Sequence, residues 1–382
     1  MIFNPDRRTA LAKIGKPFVV SACTSTLTFG GRQPLAQTNS SSSNKLSEIN
    51  QFGQEFLEQT GIPGLSVAFA RNGQMVHQEA FGFANVERKE KLGPAHLFRV
   101  ASVSKPITAT MIYVLAERGR LRVSDKVFGP QGILRSVTSA PEAAKSITVH
   151  QLLTHSGGGW GNRANDPMFM HPALSHAELI DWTLKNLPLA RAPGTGYEYS
   201  NFGYCLLGRI IEQATGKSYA QATSEMIMSR AGISKMQIAG NTRDQKAPNE
   251  VQYYAARGED PYSINVSRMD SHGGWVGTPS DLVKFANSVD GFRPSANLLQ
   301  GASIAAMTSP STNNSAYASG WAVNSAPNWW HTGSLPGTTS LLVRTASGMC
   351  WAACANARTG DSGNALDAMM WAMARSVPSW QA

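Results

Sequence analysis

The chain has 382 residues, enough to bury a sizeable hydrophobic core in one large domain or two closely joined ones. Hydrophobic residues make up 42% and charged residues 15%, a globular composition that excludes a largely disordered chain. The net charge of +9 favours anionic partners, but no block of like charge is interleaved with aromatic residues, so we expect no nucleic-acid binding.

The first 36 residues have the features of an export signal. Arg7 and Arg8 precede an uncharged stretch over residues 17–31, and small residues follow near Ala36. Paired arginines before a mildly apolar stretch resemble a twin-arginine (Tat) signal. The sequence therefore predicts an exported protein, periplasmic or secreted, from which residues 1–36 are removed.

A short polar segment separates this signal from the predicted domain. Residues 37–45 are rich in Ser and Asn, which is typical of a solvated linker, so the domain is expected to begin near Leu46. Apolar residues then recur at helical spacing, and two strand-like runs, 65–71 and 74–83, flank Asn72-Gly73. Asn-Gly between two such runs predicts a β-hairpin.

The rest of the chain changes its periodicity twice. Residues 102–310 are mainly helical in pattern, strand-like runs return over 320–355, and a last helix is predicted over 366–377. This order predicts an α+β fold, in which an antiparallel sheet built from both chain ends is flanked by helices and a mainly helical lobe is inserted between its halves. Within a domain spanning residues 46–380, the sheet subdomain would comprise residues 46–101 and 311–380, and the helical subdomain residues 102–310.

Several structural devices are not expected. The cysteines that remain after removal of the signal are odd in number, which argues against a disulfide framework. His150 with His155, and His171 with His176, are five residues apart rather than the four that place two imidazoles on one helix face. We therefore expect no zinc site. The longest later apolar stretch, 106–116, is shorter than the ~20 residues that span a bilayer, so no transmembrane helix is expected.

The first motif with catalytic potential is Ser102-Val103-Ser104-Lys105. Pro106 is tolerated only in the first turn of a helix, so a helix is predicted to begin near Val103. Lys105 then lies about one turn after Ser102 on the same face. A Ser hydroxyl needs a neighbouring base, and a lysine can supply it if a second group helps to lower its pKa from ~10.4 to ~7–8. The alternative is that Ser102 is only a helix N-cap.

Two more motifs follow in order, Tyr199-Ser200-Asn201 and His331-Thr332-Gly333. The three motifs together resemble those of class C β-lactamases, low-molecular-mass D-alanyl-D-alanine carboxypeptidases and family VIII esterases. The resemblance covers residues 46–377 and implies the β-lactamase or penicillin-binding transpeptidase fold. It also implies a serine hydrolase that forms an acyl-enzyme without a metal or cofactor.

The resemblance implies a role for each motif residue. Ser102 would be the acylated nucleophile, and Lys105 with Tyr199 would take its proton and pass it to the leaving group. The backbone N–H groups of Ser102 and Ser334 would form the oxyanion hole. His331 would tune Tyr199 or meet a substrate carboxylate. The residues expected to bind substrate are Asn201, His331, Thr332, Gly333 and Ser334.

The resemblance leaves the substrate open. Class C β-lactamases usually have Lys where this chain has His331, and the combination found here looks more like that of the carboxypeptidases. D-Ala-D-Ala-type peptides from the cell wall, esters and amides are the leading substrates. The alternatives are a β-lactamase, or a penicillin-binding sensor or scaffold that does not hydrolyse its ligand.

Simpler structural roles compete with the catalytic ones. Tyr199 could be an ordinary partly buried tyrosine, and Asn201 could be the N-cap of a helix running through residues 204–211. Trp329 and Trp330 point in opposite directions if residues 329–332 form a strand. One of them could then line the substrate site, or both could pack in the core.

Overall fold

The computed structural model describes residues 40–162, 165–255, 258–292, 297–377 and Trp380, with side chains from Ser47 onward. The predicted export signal, residues 1–36, lies outside the described residues. Contacts between Cα atoms divide the chain into a unit of residues 1–47 and a larger unit, Glu48–Ala382. Of the smaller unit, only the beginning of the first helix is described.

The helices and strands alternate along the chain in the predicted general order. The α-helices are α1 (Ser40–Thr60), α2 (Ser104–Glu117), α3 (Val149–Leu153), α4 (His176–Asn186), α5 (Asn201–Thr215), α6 (Tyr219–Thr223), α7 (Pro279–Asn287), α8 (Gly301–Thr308) and α9 (Ser362–Ser376). The strands are β1 (Gly64–Arg71), β2 (Gln74–Asn85), β3 (Glu90–Lys91), β4 (Phe98–Arg99), β5 (Gln237–Ile238), β6 (Tyr254–Ala255), β7 (Trp275–Gly277), β8 (Ala322–Val323), β9 (Trp329–Leu335), β10 (Thr338–Arg344), β11 (Met349–Ala355) and β12 (Ala357–Arg358).

A seven-stranded antiparallel sheet joins the two ends of the domain. Its strand order is β3-β2-β1-β11-β10-β9-β8, so β1 from the beginning of the domain pairs with β11 from its end. The hairpin of β1 and β2 turns at Asn72 and Gly73, whose φ angles of 49° and 80° are those of a type I′ turn. Both the hairpin and the sheet from two chain ends confirm the sequence predictions.

The two faces of this sheet pack against different helices. Alternate residues of β1, such as Leu65, Val67 and Phe69, join a core with residues of α1 and α9. The intervening Ala68 and Ala70 face a larger core, which contains residues of α2, α5 and α7. Helices therefore cover both faces, and the predicted α+β class is confirmed. No helix within the described ranges has the length and apolarity needed to span a bilayer.

Helix boundaries differ from the predictions at two places. Helix α1 begins at Ser40, earlier than the expected start near Leu46. A 3₁₀ turn, Ala101–Val103, precedes α2, which begins at Ser104, in agreement with the expected start near Val103. Ser200, not Asn201, is the N-cap of α5, and its hydroxyl accepts a hydrogen bond from the Gly203 N–H. The N-cap alternative for Asn201 is therefore wrong.

The two tryptophans of β9 both pack in the hydrophobic core. Trp329 belongs to the larger core, whereas Trp330 packs against the core on the opposite face of the sheet. This is the core alternative of the sequence analysis, and it follows from the alternation of side chains along a strand.

Candidate active site

Ser102 lies in the 3₁₀ turn between β4 and α2. The preceding Ala101 has a φ of 48°, a left-handed conformation that residues with a Cβ rarely adopt. Two hydrogen bonds fix this turn: the Val100 N–H donates to the carbonyl of Trp275 in β7 (2.9 Å), and the Val100 carbonyl accepts from Ser340 Oγ in β10 (2.7 Å). Such backbone strain persists only where the surroundings hold it, and here two sheets do so.

Lys105 is completely buried beside Ser102. Its Nζ donates hydrogen bonds to Ser102 Oγ (3.1 Å), Asn201 Oδ1 (2.7 Å) and the carbonyl of His272 (2.9 Å). Burial lowers the pKa of Lys105 well below its usual value, although the negative charge of Asp166 acts in the opposite direction. The sequence analysis required a cause for a lowered lysine pKa, and burial supplies it.

Asp166 determines the orientation of the Asn201 amide. Asn201 Nδ2 donates to Asp166 Oδ2 (2.8 Å), so that Asn201 Oδ1 is left to accept from Lys105. Asp166 Oδ1 accepts from the Met168 N–H (3.0 Å), and burial raises the pKa of the Asp166 carboxyl. The sequence analysis did not find Asp166. Its only local signal was Asp-Pro, which here caps a short 3₁₀ helix.

The Tyr199 side chain covers Lys105 from one side. Lys105 Nζ lies 4.7 Å from the centroid of the Tyr199 ring. Burial raises the pKa of the Tyr199 hydroxyl, and an interaction with the Ser102 side chain partly offsets this effect. The hydroxyl is therefore protonated at neutral pH and lies next to the Ser102 side chain, where it can give or relay a proton.

Strand β9 passes directly beside the turn that carries Ser102. A Cβ on Gly333 would lie 2.2 Å from Ser340 Oγ and 2.3 Å from the Val100 carbonyl oxygen, so only glycine permits this approach. Strand β8 pairs with β9 only at Trp329 and Trp330. In the described part of the chain, the outer edge of β9 is consequently unpaired beyond that point.

The hairpin between β9 and β10 fixes the direction of the β9 amides. Leu335 pairs with Thr338 across a two-residue turn, so these residues exchange backbone hydrogen bonds. Because hydrogen-bonded and non-hydrogen-bonded pairs alternate in an antiparallel ladder, the N–H groups of Thr332 and Ser334 point to the outer edge. The Ser334 N–H therefore points away from β10, as an oxyanion-hole donor requires.

His331 is buried in β9 with both ring nitrogens engaged. Its Nδ1 lies 2.7 Å from the Thr332 carbonyl oxygen, and its Nε2 lies 3.1 Å from the Tyr317 hydroxyl. Burial lowers the pKa of His331 to about 3, and the charge of Lys105 acts in the same direction. His331 is thus neutral at physiological pH.

The fold brings the three predicted motifs together. Ser102, Lys105 and Asn201 are linked by hydrogen bonds, Tyr199 packs on Lys105, and β9 carries the third motif alongside. Asp166, His155 and Tyr317 complete the surroundings of the site. The sequence analysis did not consider Asp166 or Tyr317, and it considered His155 only for its spacing from His150. Within the described ranges, no group of three or more His, Cys, Asp or Glu side chains is placed to hold a metal ion.

Solved structures with the same fold define the class of protein. The D-amino acid amidase from Ochrobactrum anthropi SV3, complexed with L-phenylalanine amide, is 22% identical and superimposes with a TM-score of 0.73, covering 88% of this chain and 99% of the amidase. The D-alanine carboxypeptidase AmpC from Burkholderia cenocepacia is 19% identical, with a TM-score of 0.69 over 88% of this chain and 99% of that one. These similarities place the chain in the fold class of the β-lactamases and penicillin-binding transpeptidases.

The family model named Beta-lactamase matches residues 49–373, and the chain therefore belongs to the Beta-lactamase family. This confirms the family resemblance inferred from the three motifs. Penicillin-binding protein 4* of Bacillus subtilis (strain 168) is 27% identical over 307 residues, covering 73% of this chain and 64% of that protein. Protein flp of Staphylococcus aureus (strain NCTC 8325 / PS 47) is 25% identical over 316 residues, covering 78% of this chain and 60% of the relative. The chain thus spans about three fifths of the length of these two relatives.

Proposed function

We propose that this protein is a serine hydrolase that forms an acyl-enzyme at Ser102. The observation that carries the proposal is the fully buried Lys105, whose Nζ lies 3.1 Å from Ser102 Oγ. A buried lysine with a lowered pKa can exist in the neutral form that accepts a proton. Membership of the Beta-lactamase family supports this reading.

The proposed reaction has two halves. Ser102 Oγ attacks the substrate carbonyl carbon while its proton passes to Lys105 Nζ, and the backbone N–H groups of Ser102 and Ser334 stabilise the oxyanion. When the tetrahedral intermediate collapses, Tyr199 passes a proton to the leaving group and is reprotonated from Lys105. Water then attacks the acyl carbonyl carbon, and its proton passes through Tyr199 to Lys105. The ester bond to Ser102 Oγ breaks, Lys105 returns the proton to Ser102 Oγ, and the acid is released.

The neighbouring side chains support these roles. The Asn201 amide oxygen accepts a hydrogen bond from Lys105 Nζ. The Asn201 side chain would also hydrogen-bond the substrate near the scissile bond. Thr332, Gly333 and Ser334 lie on the part of β9 whose outer edge is unpaired, where an extended substrate can add as a strand. His331 would act on the site from within the protein, because both of its nitrogens are already engaged.

We propose peptides of the D-Ala-D-Ala type, esters and amides as the substrates. Two structural neighbours, a D-amino acid amidase and a D-alanine carboxypeptidase, support acyl groups with D-configured amino acids. A β-lactam is the alternative substrate, since the relative from Bacillus subtilis is named a penicillin-binding protein. No metal or cofactor enters the proposed reaction.

The decisive experiment is intact-mass analysis after brief exposure to a fluorophosphonate, a penicillin and a p-nitrophenyl ester, with product release followed in parallel. The wild-type protein should gain one adduct, and Ser102→Ala should gain none. Ser104→Ala is the matched control, because Ser104 is buried two residues away and its Oγ has no hydrogen-bond partner among the described residues. Labelling of Ser102→Ala, or none in the wild type, would refute the proposal.

The same measurement separates a hydrolase from a sensor. A hydrolase releases product continuously, whereas a penicillin-binding sensor or scaffold gives one burst and then remains acylated. The ligand that turns over fastest identifies the substrate class.

We also propose that the protein is exported, on the grounds of Arg7, Arg8 and the uncharged stretch that follows them. Fractionation of cells that produce the full chain tests this proposal. The mature protein should be found outside the cytoplasm and should lack about the first 36 residues, as judged by N-terminal sequencing. Replacement of Arg7 and Arg8 by lysine should retain the precursor in the cytoplasm if the Tat route is used.

A further inference from the structure

A continuous chain of hydrogen bonds runs behind the candidate active site. It begins at the Ser200 N–H, which donates to His155 Nδ1 (3.1 Å). His155 Nε2 lies 3.2 Å from the Tyr317 hydroxyl oxygen, and that oxygen lies 3.1 Å from His331 Nε2. The chain ends where His331 Nδ1 meets the Thr332 carbonyl oxygen at 2.7 Å. It therefore links the segments that carry the second and third motifs.

The two ends of this chain determine the position of every proton in it. A backbone N–H can only donate, so His155 Nδ1 must be the acceptor and His155 Nε2 must carry the proton. A carbonyl oxygen can only accept, so His331 Nδ1 must carry the proton and His331 Nε2 must accept. Tyr317 consequently accepts from His155 and donates to His331. Each histidine is held in one tautomer, and the two tautomers are different.

This chain of hydrogen bonds is buried among the aromatic rings of the site. His155, Tyr317 and His331 are each no more than 5% exposed. The centroid of the His155 ring lies 4.3 Å from that of Tyr199, 4.9 Å from that of Tyr317 and 5.1 Å from that of Tyr204. The Tyr199 ring therefore packs on the His155 ring, and the N–H of the next residue, Ser200, donates a hydrogen bond to His155.

Both histidines are neutral in this environment. Burial lowers the pKa of His155 well below its usual value and that of His331 to about 3, and the charge of Lys105 contributes in both cases. A second proton on His155 Nδ1 would face the Ser200 N–H, and one on His331 Nε2 would face the Tyr317 hydroxyl that donates to it. Either proton would also add a positive charge near Lys105. The titratable groups that surround the chain are Lys105, Tyr197, Tyr199 and Tyr204.

We propose that His155 and Tyr317 are positioning residues. Through this directed chain of hydrogen bonds they hold the side chains of Tyr199 and His331 in the positions that the reaction requires. The inference rests on the proposed function of Ser102 and extends it to two residues outside the three motifs. Neither residue is required to touch the substrate. Their effect is transmitted by the ring of His155, which packs on Tyr199, and by the hydroxyl of Tyr317, which fixes His331.

The first test observes the protons directly and does not depend on activity. In protein labelled with ¹⁵N-histidine, the side-chain nitrogen signals of His155 and His331 are assigned by comparison with His155→Gln and His331→Gln. His155 should be the Nε2–H tautomer and His331 the Nδ1–H tautomer. If His331 is found as the Nε2–H tautomer or as a cation at pH 7, the proposal is overturned.

The second test removes the central hydroxyl with Tyr317→Phe. The turnover number should fall about tenfold or more, the equivalent of one hydrogen bond, while KM changes less than twofold. In the ¹⁵N spectrum the Nε2 signal of His331 should shift because it loses its hydrogen-bond donor, while the Thr332 carbonyl oxygen keeps His331 in the Nδ1–H tautomer. The matched control is Tyr197→Phe, which removes a hydroxyl from another ring packed edge-on against His155 but outside the chain, and it should leave both readouts unchanged.

The outcomes separate this proposal from the one about Ser102. If wild-type Ser102 is not acylated but the tautomers are as expected, the proposed function fails. The chain of hydrogen bonds is then a structural feature only, and the positioning role is wrong as well. If Ser102 is acylated and Tyr317→Phe turns over like the wild type, the proposed function stands and the positioning role is wrong. A folded Tyr317→Phe, confirmed by circular dichroism, with a slower turnover supports both.

Discussion

At the scale of single residues, the Asp166 carboxylate and the Lys105 ammonium act on each other through Asn201. The Asn201 amide donates to Asp166 and accepts from Lys105, so its two ends cannot be exchanged without losing both hydrogen bonds. The carboxylate also keeps Lys105 more basic than burial alone would leave it. Asp166 therefore influences both the geometry of the site and the pH at which Lys105 releases its proton.

We predict that Asp166→Asn shifts the acid limb of the kcat/KM profile to lower pH. The charge of Asp166 raises the pKa of Lys105, so its removal lowers that pKa and the neutral lysine is present at lower pH. The pH profile of ester hydrolysis measures the shift. Asp181→Asn, which removes a surface carboxylate paired with Lys185, is the control and should leave the limb in place. A limb that moves to higher pH in Asp166→Asn contradicts the prediction.

At the scale of secondary-structure elements, the site depends on how closely β9 approaches the turn of Ser102. We predict that Gly333→Ala lowers both stability and activity, because its Cβ would overlap the Val100 carbonyl oxygen and Ser340 Oγ. Overpacking of this kind typically costs ~1–3 kcal/mol. Thermal unfolding and kcat/KM are the measurements. Gly301→Ala at the beginning of α8 is the control, since its Cβ would meet nothing within 4 Å.

The outcome of this comparison distinguishes a local from a general effect of added methyl groups. Gly301→Ala should keep the wild-type melting temperature and activity, because Gly301 opens a helix in which alanine is favourable. If Gly333→Ala is as active as Gly301→Ala, β9 can move away from the turn without consequence, and its role as a wall of the site is wrong.

The elements also show which features a sequence can predict. The hairpin at Asn72-Gly73 was predictable from local turn chemistry, and strand β11 from a short, wholly apolar run of residues. Strands β5 and β7 were not, because two or three residues are too few for a periodic pattern, and yet Trp275 of β7 anchors the turn of Ser102. The role of Asp166 was not predictable either, since it arises from a contact with Asn201, 35 residues away.

The motifs themselves were predictable for a different reason. Ser102 and Lys105 are adjacent on one helical turn, so spacing alone places them together. Tyr199, Asn201 and His331 were recognised by their order and by family resemblance, not by any local physical signal. The directed chain through His155 and Tyr317 needed coordinates, because hydrogen bonds between distant segments leave no periodic trace in a sequence.

At the scale of the whole molecule, histidine burial should make the fold sensitive to mild acid. Burial lowers the pKa of several histidines, namely His77, His150, His155, His272 and His331. Below pH ~6.5 the unfolded chain binds protons that these buried groups do not, so the free energy of unfolding falls as the pH decreases. Asp290 opposes this trend, because burial raises its pKa to about 6 and the folded state then takes up a proton first.

We predict that His272→Gln reduces this acid sensitivity. Each buried neutral histidine contributes a slope of about 1.4 kcal/mol per pH unit below pH ~6.5, and the variant removes one of them. Urea unfolding at pH 7 and pH 5 gives the two free energies for each protein. The difference between them should be smaller for His272→Gln than for the wild type. Equal differences would show that His272 becomes protonated without unfolding.

The reactivity of the buried cysteines reports how often the folded domain opens. Cys205, Cys350 and Cys354 are free thiols in the core, and burial raises the pKa of each, so almost no thiolate is exposed to a reagent while the domain is closed. Cys350 and Cys354 lie in β11, in the middle of the sheet, and Cys205 is buried in α5, the helix that begins at Asn201. Modification of these thiols therefore requires separation of the sheet or the helices, and its rate measures how often the domain opens at the centre.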